Sequence, residues 1–317
     1  MSQKQIAVVV PFLNEEGNLP ELYRRVSAVF EKVPEEVRFV FVDDGSTDGS
    51  VPCLEKIRQN DSRVGILQLS RNFGHQIAIT AGMDHADADA VVIIDADLQD
   101  PPETIADLLA KWREGFEVVY AVRKSREGET WLKKFLAASF YRTFHRLAKV
   151  NVPMDAGDFR LVDRKVVDAL KEVRELHRFM RGLTCWVGFR QGAVYYDRAA
   201  RLAGETKYPV WKSLRLAFDA ITSFSAAPLR WMTVTGALIS LAGFIHGLMI
   251  VAGRIFHPER YAPGWATVVA LILFLTGVQL LCLGLVGQYI SRIFEESKRR
   301  PLYFVRTDST QTRSLNG

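Results

Sequence analysis

Short apolar runs alternate with amphipathic segments along the first part of the chain. Segments with apolar residues at helical spacing cover about 48–60, 74–86 and 102–114. Regular alternation of strand and helix predicts βαβ units, and therefore an α/β domain with a Rossmann-like, mostly parallel sheet. The predicted strands are Ile6–Val10, Phe39–Val42, Val64–Leu69, Val91–Ile94 and Phe116–Ala121.

The pattern changes in the last third of the chain. Two apolar segments, Met232–Ile255 and Trp265–Ile290, are each long enough to cross a hydrocarbon core, which takes roughly 20 helical residues. Only a short turn at 258–264 separates them, so we expect a two-span transmembrane helical hairpin. Basic residues are concentrated before and after the hairpin, which by the positive-inside rule puts both ends in the cytosol. The sequence therefore predicts a multi-pass protein of the inner membrane with a cytosolic main domain.

Two further segments, 131–149 and 209–230, combine aromatic and basic residues at helical spacing and predict amphipathic helices. Such helices often lie in a membrane interface, although 131–149 could instead pack on the domain's own sheet. The predicted organisation is a cytosolic domain over 1–208, a juxtamembrane helix over 209–230, two transmembrane helices within 231–291 and a cytosolic tail over 292–317. Within that tail, Thr307–Gly317 has the composition of a disordered segment.

The charge of the chain limits its possible binding partners, and its cysteine content indicates the redox compartment. Lys and Arg outnumber Asp and Glu by 41 to 36, a balance that suits nucleic acid, an anionic membrane or a phosphorylated substrate. The surplus lies near the apolar segments, and zinc-finger spacing, aromatic-basic RNA motifs and basic arms are absent from the sequence. We therefore expect a membrane bilayer and a phosphorylated ligand as partners, and no nucleic acid. Three widely spaced cysteines without a CxxC pattern fit a reducing compartment.

Acidic and polar residues follow three of the predicted strands, at Asn14–Glu15, Asp43–Asp44 and Asp95–Asp100. In parallel sheets, ligands bind beyond the carboxyl ends of the strands. Asp95 and Asp97 are separated by one residue, so in extended chain their carboxylates point the same way. Such a pair can share one Mg²⁺ or Mn²⁺ that also holds a pyrophosphate. The spacing alone is weak support, because Asp-x-Asp is common in surface loops.

The segment Asp43–Asp48 reads Asp-Asp-Gly-Ser-Thr-Asp. As a capped turn, it would use Gly45 to turn the chain and Ser46 or Thr47 to cap the next helix. A capped turn still leaves carboxylates able to accept hydrogen bonds from a base or a ribose. Because neither Gly-x-Gly-x-x-Gly nor a P-loop pattern is present, the sequence predicts neither a dinucleotide site nor a P-loop.

These motifs together resemble a known family. Three segments are similar to the family-2 glycosyltransferases of GT-A fold, namely Val8–Glu16, Val42–Asp48 and Asp95–Asp100. Ser70–Gly74, which reads Ser-Arg-Asn-Phe-Gly, narrows the resemblance to the polyprenyl-phosphate branch that includes dolichol-phosphate mannose synthase. Gly157–Leu161, Arg178–Gly182 and the hairpin resemble the bactoprenol glucosyltransferases of O-antigen modification. The resemblance extends to about residue 305.

This resemblance implies a metal-dependent, inverting glycosyltransferase that moves a hexose from a nucleotide-sugar onto undecaprenyl or another polyprenyl phosphate at the cytosolic membrane face. Glucose from UDP-glucose is the first expectation, with N-acetylhexosamine, an aminoarabinose derivative and mannose as alternatives. The implied residues are Pro11, Asn14, Glu15, Asp43, Asp44 and Asp95 for the nucleotide-sugar, Asp95, Asp97 and Gln99 for Mg²⁺ or Mn²⁺, and Arg123, Lys134 and Ser139 for the acceptor phosphate.

Two further parts of the implied site leave alternatives open. Asp158 would lie near the sugar and the acceptor phosphate, with Asp97 and Arg123 as its catalytic partners; alternatively, it caps a helix or pairs with Arg160. The segment Tyr196–Tyr208 resembles a mobile loop that closes over the donor. Its basic residues Arg198, Arg201 and Lys207 would neutralise the departing diphosphate, or would provide only membrane-proximal charge.

The chemistry agrees with these roles. The phosphate nucleophile is largely ionised near pH 7, because the second pKa of a phosphate monoester is about 6. A dedicated general base is therefore dispensable, and we expect Asp158 to orient the phosphate during an inverting displacement. A processive polysaccharide synthase is disfavoured because Ala227 stands where its Gln-x-x-Arg-Trp motif needs glutamine. A catalytically inactive nucleotide-sugar sensor or membrane scaffold is a third possibility, and a homo-oligomer is compatible with the resemblance.

Overall fold

A computed structural model describes residues 3–123, 156–197, 227–256 and 264–310. The predicted helix at 131–149 and most of the one at 209–230 lie outside the described residues. The chain divides into two units: Met1–Pro209 together with Pro301–Gly317, and Val210–Arg300.

The first unit is built on a mixed sheet of eight strands in the order β7-β5-β6-β4-β1-β2-β3-β8. Strands β4, β1, β2 and β3 are parallel neighbours, β7 runs parallel to β5, and β6 runs antiparallel to both β4 and β5. The strands are β1 Gln5–Phe12, β2 Glu36–Asp43, β3 Val64–Leu69, β4 Ala90–Ile93, β5 Val118–Arg123, β6 Ala156–Asp163, β7 Gln191–Tyr196 and β8 Val305–Asp308.

Within the described residues of this unit, six helices accompany the strands. They are α1 Leu19–Phe30, α2 Ser50–Asn60, α3 His75–His85, α4 Ile105–Arg113 with a preceding 3₁₀ turn at Pro102–Thr104, α5 Arg164–Glu172 and α6 Met180–Trp186. In α1, Leu19, Leu22 and Val26 recur on one face and are fully buried. They join the alternate side chains of β2, including Phe39 and Phe41, in one apolar core. The five predicted strands and the α/β class are confirmed.

Strands β6 and β7 were not predicted from the apolar pattern. Strand β6 reads Ala-Gly-Asp-Phe-Arg-Leu-Val-Asp and buries Arg160 completely. A buried charge breaks the apolar signature of a strand, since arginine is almost never buried unless it is paired. Strand β7 lies at one edge of the sheet and alternates exposed Tyr195 with buried Tyr196.

The expectation of a disordered segment from Thr307 onward is wrong for its first residues. Strand β8 pairs antiparallel with β3, with Leu67 opposite Asp308. The backbone N–H of Ser309 donates to Ile66 at 2.9 Å, and Thr310 is buried. This strand is exposed and polar, so its order comes from backbone pairing with β3, which hydrophobic periodicity does not reveal.

The second unit contains α7 Ala227–Phe256 and α8 Trp265–Ser297. Stretches at Trp231–Met249 and Phe274–Ser297 are long and apolar enough to cross a membrane, by length and composition. Their large apolar side chains are exposed along both helices. The two predicted spans are therefore helices, and the second continues beyond Ile290.

Candidate active site

The carboxyl ends of β1, β2 and β4 lie side by side because these strands are parallel neighbours in the sheet. Phe12 pairs with Asp43, and Val9 pairs with Ile93 two residues before Asp95. A cavity of about 320 Å³ opens at this edge. Five of the predicted site residues line it: Pro11, Glu15, Asp44, Asp95 and Asp97.

Asn14 and Asp43, also predicted to bind the nucleotide, form hydrogen bonds within the turn beside the cavity. Asn14 adopts a left-handed conformation with φ +57°, and its Oδ1 accepts from the Thr47 N–H at 2.8 Å. Asp43 Oδ1 accepts from the Ser46 N–H at 2.8 Å. Gly45, with φ +87°, turns the chain as predicted. Their contacts with a nucleotide stay a prediction.

The expected helix cap by Ser46 or Thr47 is wrong. Helix α2 begins later, at Ser50, and Gly49 occupies its N-cap position without a side-chain cap. The Ser46 hydroxyl instead accepts from the Asn14 N–H at 3.0 Å, which bonds Ser46 to the loop after β1. Asp48 of the same segment accepts from the N–H of Ser50, at the start of α2, at 3.0 Å.

Asp44 anchors the loop that follows β3. Its carboxylate accepts from the backbone N–H groups of Phe73 at 2.7 Å and Gly74 at 3.0 Å. Burial raises the pKa of Asp44, although these two hydrogen bonds oppose the rise. Asp44 therefore fixes the Ser70–Gly74 loop, whose Asn72 and Gly74 also line the cavity.

Asp95 and Asp97 present two different carboxylates to the cavity. Asp97 is exposed, and its Oδ1 accepts from the Gln99 backbone N–H at 3.1 Å. Burial raises the pKa of Asp95 to about 6, and the nearby carboxylates of Asp158, Asp100 and Asp97 add to the rise. Asp95 Oδ1 is buried and has no hydrogen-bonding partner among the described residues, although His75 Nε2 lies 3.3 Å away.

These features fit a hard divalent cation. Among the described residues, no group of three or more His, Cys, Asp or Glu side chains is arranged to hold a metal ion by itself. Mg²⁺, however, is commonly held by one or two carboxylates, with water and substrate phosphates completing its shell. The unsatisfied Asp95 oxygen and the exposed Asp97 carboxylate supply that donor set. Gln99 is buried, and its predicted metal contact stays a prediction.

Asp158 is the most heavily bonded carboxylate of the site. Arg181 donates to both of its oxygens, at 3.0 and 3.1 Å, and Gln76 donates to Oδ2 at 3.3 Å. Buried Arg160 lies 3.4 Å from Oδ1, so the ion pair expected as an alternative role is present. Burial alone would raise the pKa of Asp158, but His75 and the two arginines outweigh it and hold the pKa well below its usual range.

His75 links the two acidic parts of the site and was not predicted. It is the first residue of α3, and its half-exposed ring places Nε2 3.3 Å from Asp95 and 3.5 Å from Asp158. Burial lowers the pKa of His75, but the two carboxylates raise it more, and the net shift is upward. Its position directly after the Ser70–Gly74 loop is the signal that could have identified it.

Arg123 is the last residue of β5, which extends two residues beyond the predicted strand, and it lies beside Asp100 and Tyr196. Burial lowers the pKa of Arg123, but Asp100 and Tyr196 together raise it by more than burial lowers it. The net shift is upward, so the guanidinium stays charged. The other predicted basic and acceptor residues lie outside the described residues: Lys134, Ser139, Arg198, Arg201 and Lys207.

The sequence model of the family named glycosyl transferase family 2 matches residues 7–171, which include all the residues that line the cavity. The chain belongs to glycosyl transferase family 2. A second model, that of the GtrB C-terminal hairpin, matches residues 227–293 and so covers α7 and most of α8.

Named relatives of this family-2 chain are similar along nearly their full length. An uncharacterized glycosyltransferase, YkcC of Bacillus subtilis, is 49% identical over 95% of this chain and 93% of its own. A bactoprenol glucosyl transferase of Shigella phage SfV is 40% identical over 96% of this chain and 99% of its own. Among solved structures, glucosyl-3-phosphoglycerate synthase from Mycobacterium tuberculosis covers 69% of this chain and 76% of its own at 18% identity, with a TM-score of 0.46.

Proposed function

We propose that this chain transfers glucose from UDP-glucose to a polyprenyl phosphate, with inversion at the anomeric carbon. The observation that carries the proposal is the full-length similarity, at 40% identity, to a bactoprenol glucosyl transferase. That similarity includes both the family-2 domain and the C-terminal hairpin. The proposed reaction requires both parts, because its donor is dissolved in water and its acceptor lies in lipid.

In the proposed reaction, an acceptor phosphate oxygen attacks the anomeric carbon of glucose. The bond from that carbon to the β-phosphate oxygen breaks, and UDP leaves with the electron pair. Negative charge develops on the departing diphosphate, so the site must stabilise it electrostatically. Asp95 and Asp97 would hold a divalent cation that would supply this stabilisation, and the buried Asp95 oxygen, which has no hydrogen-bonding partner among the described residues, supports such a site.

Asp158 is suited to orienting groups rather than to taking a proton. Its pKa lies well below the usual range, and a carboxylate so strongly stabilised in its ionised form is a weak base. The nucleophile needs little help, because a phosphate monoester has already lost most of its second proton near pH 7. Asp158 holds Arg181 at 3.0 Å, and Arg123 lies near enough to Arg181 for the two charges to interact.

The apolar helices support membrane association. A polyprenyl chain is costly to remove from a bilayer, at about 0.8 kcal/mol per buried CH₂, so the enzyme must meet its acceptor at the headgroups. We place the protein in the inner membrane, with the family-2 domain in the cytosol where nucleotide-sugars are made. The orientation rests on the basic residues that flank the hairpin.

A transfer assay tests the proposal. Purified full-length protein is incubated with undecaprenyl phosphate, Mg²⁺ or Mn²⁺, and a panel of radiolabelled UDP- and GDP-sugars. We expect labelled lipid from UDP-glucose, its loss with EDTA, and its recovery when excess Mn²⁺ is added. Asp97→Asn is expected to lower turnover at least about 100-fold, by the size of a lost charge-stabilising group. The β-linked product is expected from an α-linked donor.

Other outcomes separate the parts of the proposal. Labelled lipid from another sugar would overturn the glucose assignment alone, and the retained anomer would overturn the displacement mechanism. Full activity after EDTA treatment would overturn the metal site. If folded protein labels the lipid with none of the donors, while Asp97→Asn preserves its cellular phenotype, the sensor function is favoured instead.

A further inference from the structure

Asp100, Tyr196 and Arg123 form a hydrogen-bonded triad at the carboxyl ends of β5 and β7. The two strands are parallel, and their last residues, Arg123 and Tyr196, are paired in register. The Tyr196 hydroxyl accepts from Arg123 Nε at 3.2 Å and donates to Asp100 Oδ1. The same Asp100 oxygen lies 3.4 Å from Arg123 Nη2. Tyrosine and aspartate therefore hold two of the three guanidinium nitrogens.

The supporting members of the triad are buried, and Arg123 is not. Tyr196 is 5% exposed, with its ring packed edge-on against Phe159, and Asp100 is 3% exposed. The Arg123 side chain has 27% of its surface exposed to solvent. Burial and the Asp100 carboxylate raise the pKa of Tyr196, so its hydroxyl keeps the proton that it donates. A ligand can thus reach the guanidinium but not its supports.

A fixed guanidinium is better suited to phosphate than a free one. Arginine recognises phosphate through a planar set of N–H donors, so its orientation decides how many hydrogen bonds it forms. Holding the plane in place before the ligand arrives removes part of the entropy cost of binding. A purely structural ion pair would not need a tyrosine that bonds both partners, since Asp100 alone could neutralise Arg123.

We propose that Tyr196, held by Asp100, is the positioning residue that orients Arg123 toward the phosphate of the acceptor lipid. This inference rests on the proposed function, because it takes the phosphate group of a polyprenyl phosphate as the ligand of Arg123. Tyr196 acts through Arg123 and makes no contact with the lipid itself.

The test compares Tyr196→Phe with Tyr195→Phe in the full-length protein. Tyr195 is the preceding residue of β7 and is 63% exposed, so its variant controls for loss of a tyrosine hydroxyl on the same strand. Affinity for undecaprenyl phosphate and for uncharged undecaprenol is measured in detergent micelles, together with affinity for UDP. Melting temperature and circular dichroism verify folding.

We expect Tyr196→Phe to weaken phosphate-lipid binding about tenfold, the size expected for one hydrogen bond to a charged group. Affinity for undecaprenol and UDP is expected to change less than about twofold, and Tyr195→Phe to leave all three unchanged. In turnover, the acceptor KM is expected to rise while the donor KM stays constant. Arg123→Lys, which keeps the charge but loses the planar group, is expected to match Tyr196→Phe, and serves if the tyrosine variant does not fold.

A double-mutant cycle excludes a merely structural role. Because Tyr196 acts through Arg123, adding Tyr196→Phe to Arg123→Ala is expected to cost nothing further in phosphate-lipid affinity. Additive losses, or an equal loss of UDP affinity, would overturn the inference. Unchanged lipid binding by a folded Tyr196→Phe would overturn it while leaving the proposed function intact. If the wild-type protein does not prefer the phosphate over the alcohol, the acceptor assignment and the inference both fall.

Discussion

Replacing Asp95 with asparagine is expected to stabilise the metal-free protein while abolishing its activity. The Asp95 carboxylate lies among other acidic groups, and burial raises its pKa from 3.8 to about 6. In the folded state it therefore binds a proton more tightly than in the unfolded chain. Well above pH 6 both states are ionised, and folding bears the whole cost of ionising this partly buried group.

The size of the effect follows from the two pKa values. Each tenfold difference in proton affinity corresponds to 1.36 kcal/mol, which gives a penalty of about 3 kcal/mol at pH 7. Since 33% of the side chain is exposed, solvent screening reduces this to about 1 to 2 kcal/mol. For a domain of this size, we expect the melting temperature of Asp95→Asn to rise by about 2 to 8 °C at pH 7.

The assay is thermal unfolding in detergent with EDTA, at pH 7 and at pH 4.5. The gain in Asp95→Asn is expected to shrink at pH 4.5, because the wild-type carboxyl is then largely protonated when folded. Asp97→Asn is the matched control: Asp97 is exposed, and its loss is expected to change the melting temperature by less than about 1 °C. Mn²⁺ with UDP is expected to stabilise the wild type but not Asp95→Asn. A lower melting temperature for Asp95→Asn at pH 7, or a gap independent of pH, would refute this reasoning.

Two further predictions concern the rest of the site. Asp158→Asn removes the carboxylate that is ion-paired with Arg181 and with buried Arg160, so we expect a loss of about 3 kcal/mol in the free energy of unfolding and at least a 100-fold loss in turnover. A denaturant titration beside a rate measurement checks both, and an unaltered unfolding midpoint would contradict the ion-pair account. Gly45→Ala would place Cβ 2.9 Å from the Asn72 backbone nitrogen at a φ of +87°. We expect about 1 to 3 kcal/mol of destabilisation and a higher KM for the donor. Unchanged kinetics would show that the geometry of this turn does not affect donor binding in the cavity.

The parts of the fold that follow from local patterns could be predicted from the sequence. Strands β1 to β5 are apolar runs, and the strand-end rule correctly brought Glu15 and the Asp95–Asp97 pair to one cavity. Strand β6 escaped prediction because Arg160 is buried in it, paired with Asp158 from the same strand. The charged pair interrupts the run of apolar residues by which the other strands were recognised, so hydrophobic periodicity did not indicate a strand here.

The supporting side chains of the site were harder to predict than the acidic ones. His75, Gln76 and Arg181 reach Asp158 from α3 and α6, helices far apart in the chain, so spacing along the sequence gave no signal. Tyr196 was predicted only as the start of a loop over the donor, whereas the structure bonds it to Arg123 through parallel strand pairing. The roles of the predicted residues stay predictions until ligands are bound.

The position of β8 in the sheet has a consequence for biosynthesis. This strand begins about 110 residues after the end of β7, and both apolar helices are translated in between. At about 5 to 20 residues per second, β3 keeps an open edge for roughly 5 to 20 s after the other seven strands have been made. An open edge invites pairing with other nascent chains. The sheet is thus completed only after both apolar helices have been synthesised, and until then the apolar β3 is an edge strand, a position that the polar β8 takes once it pairs.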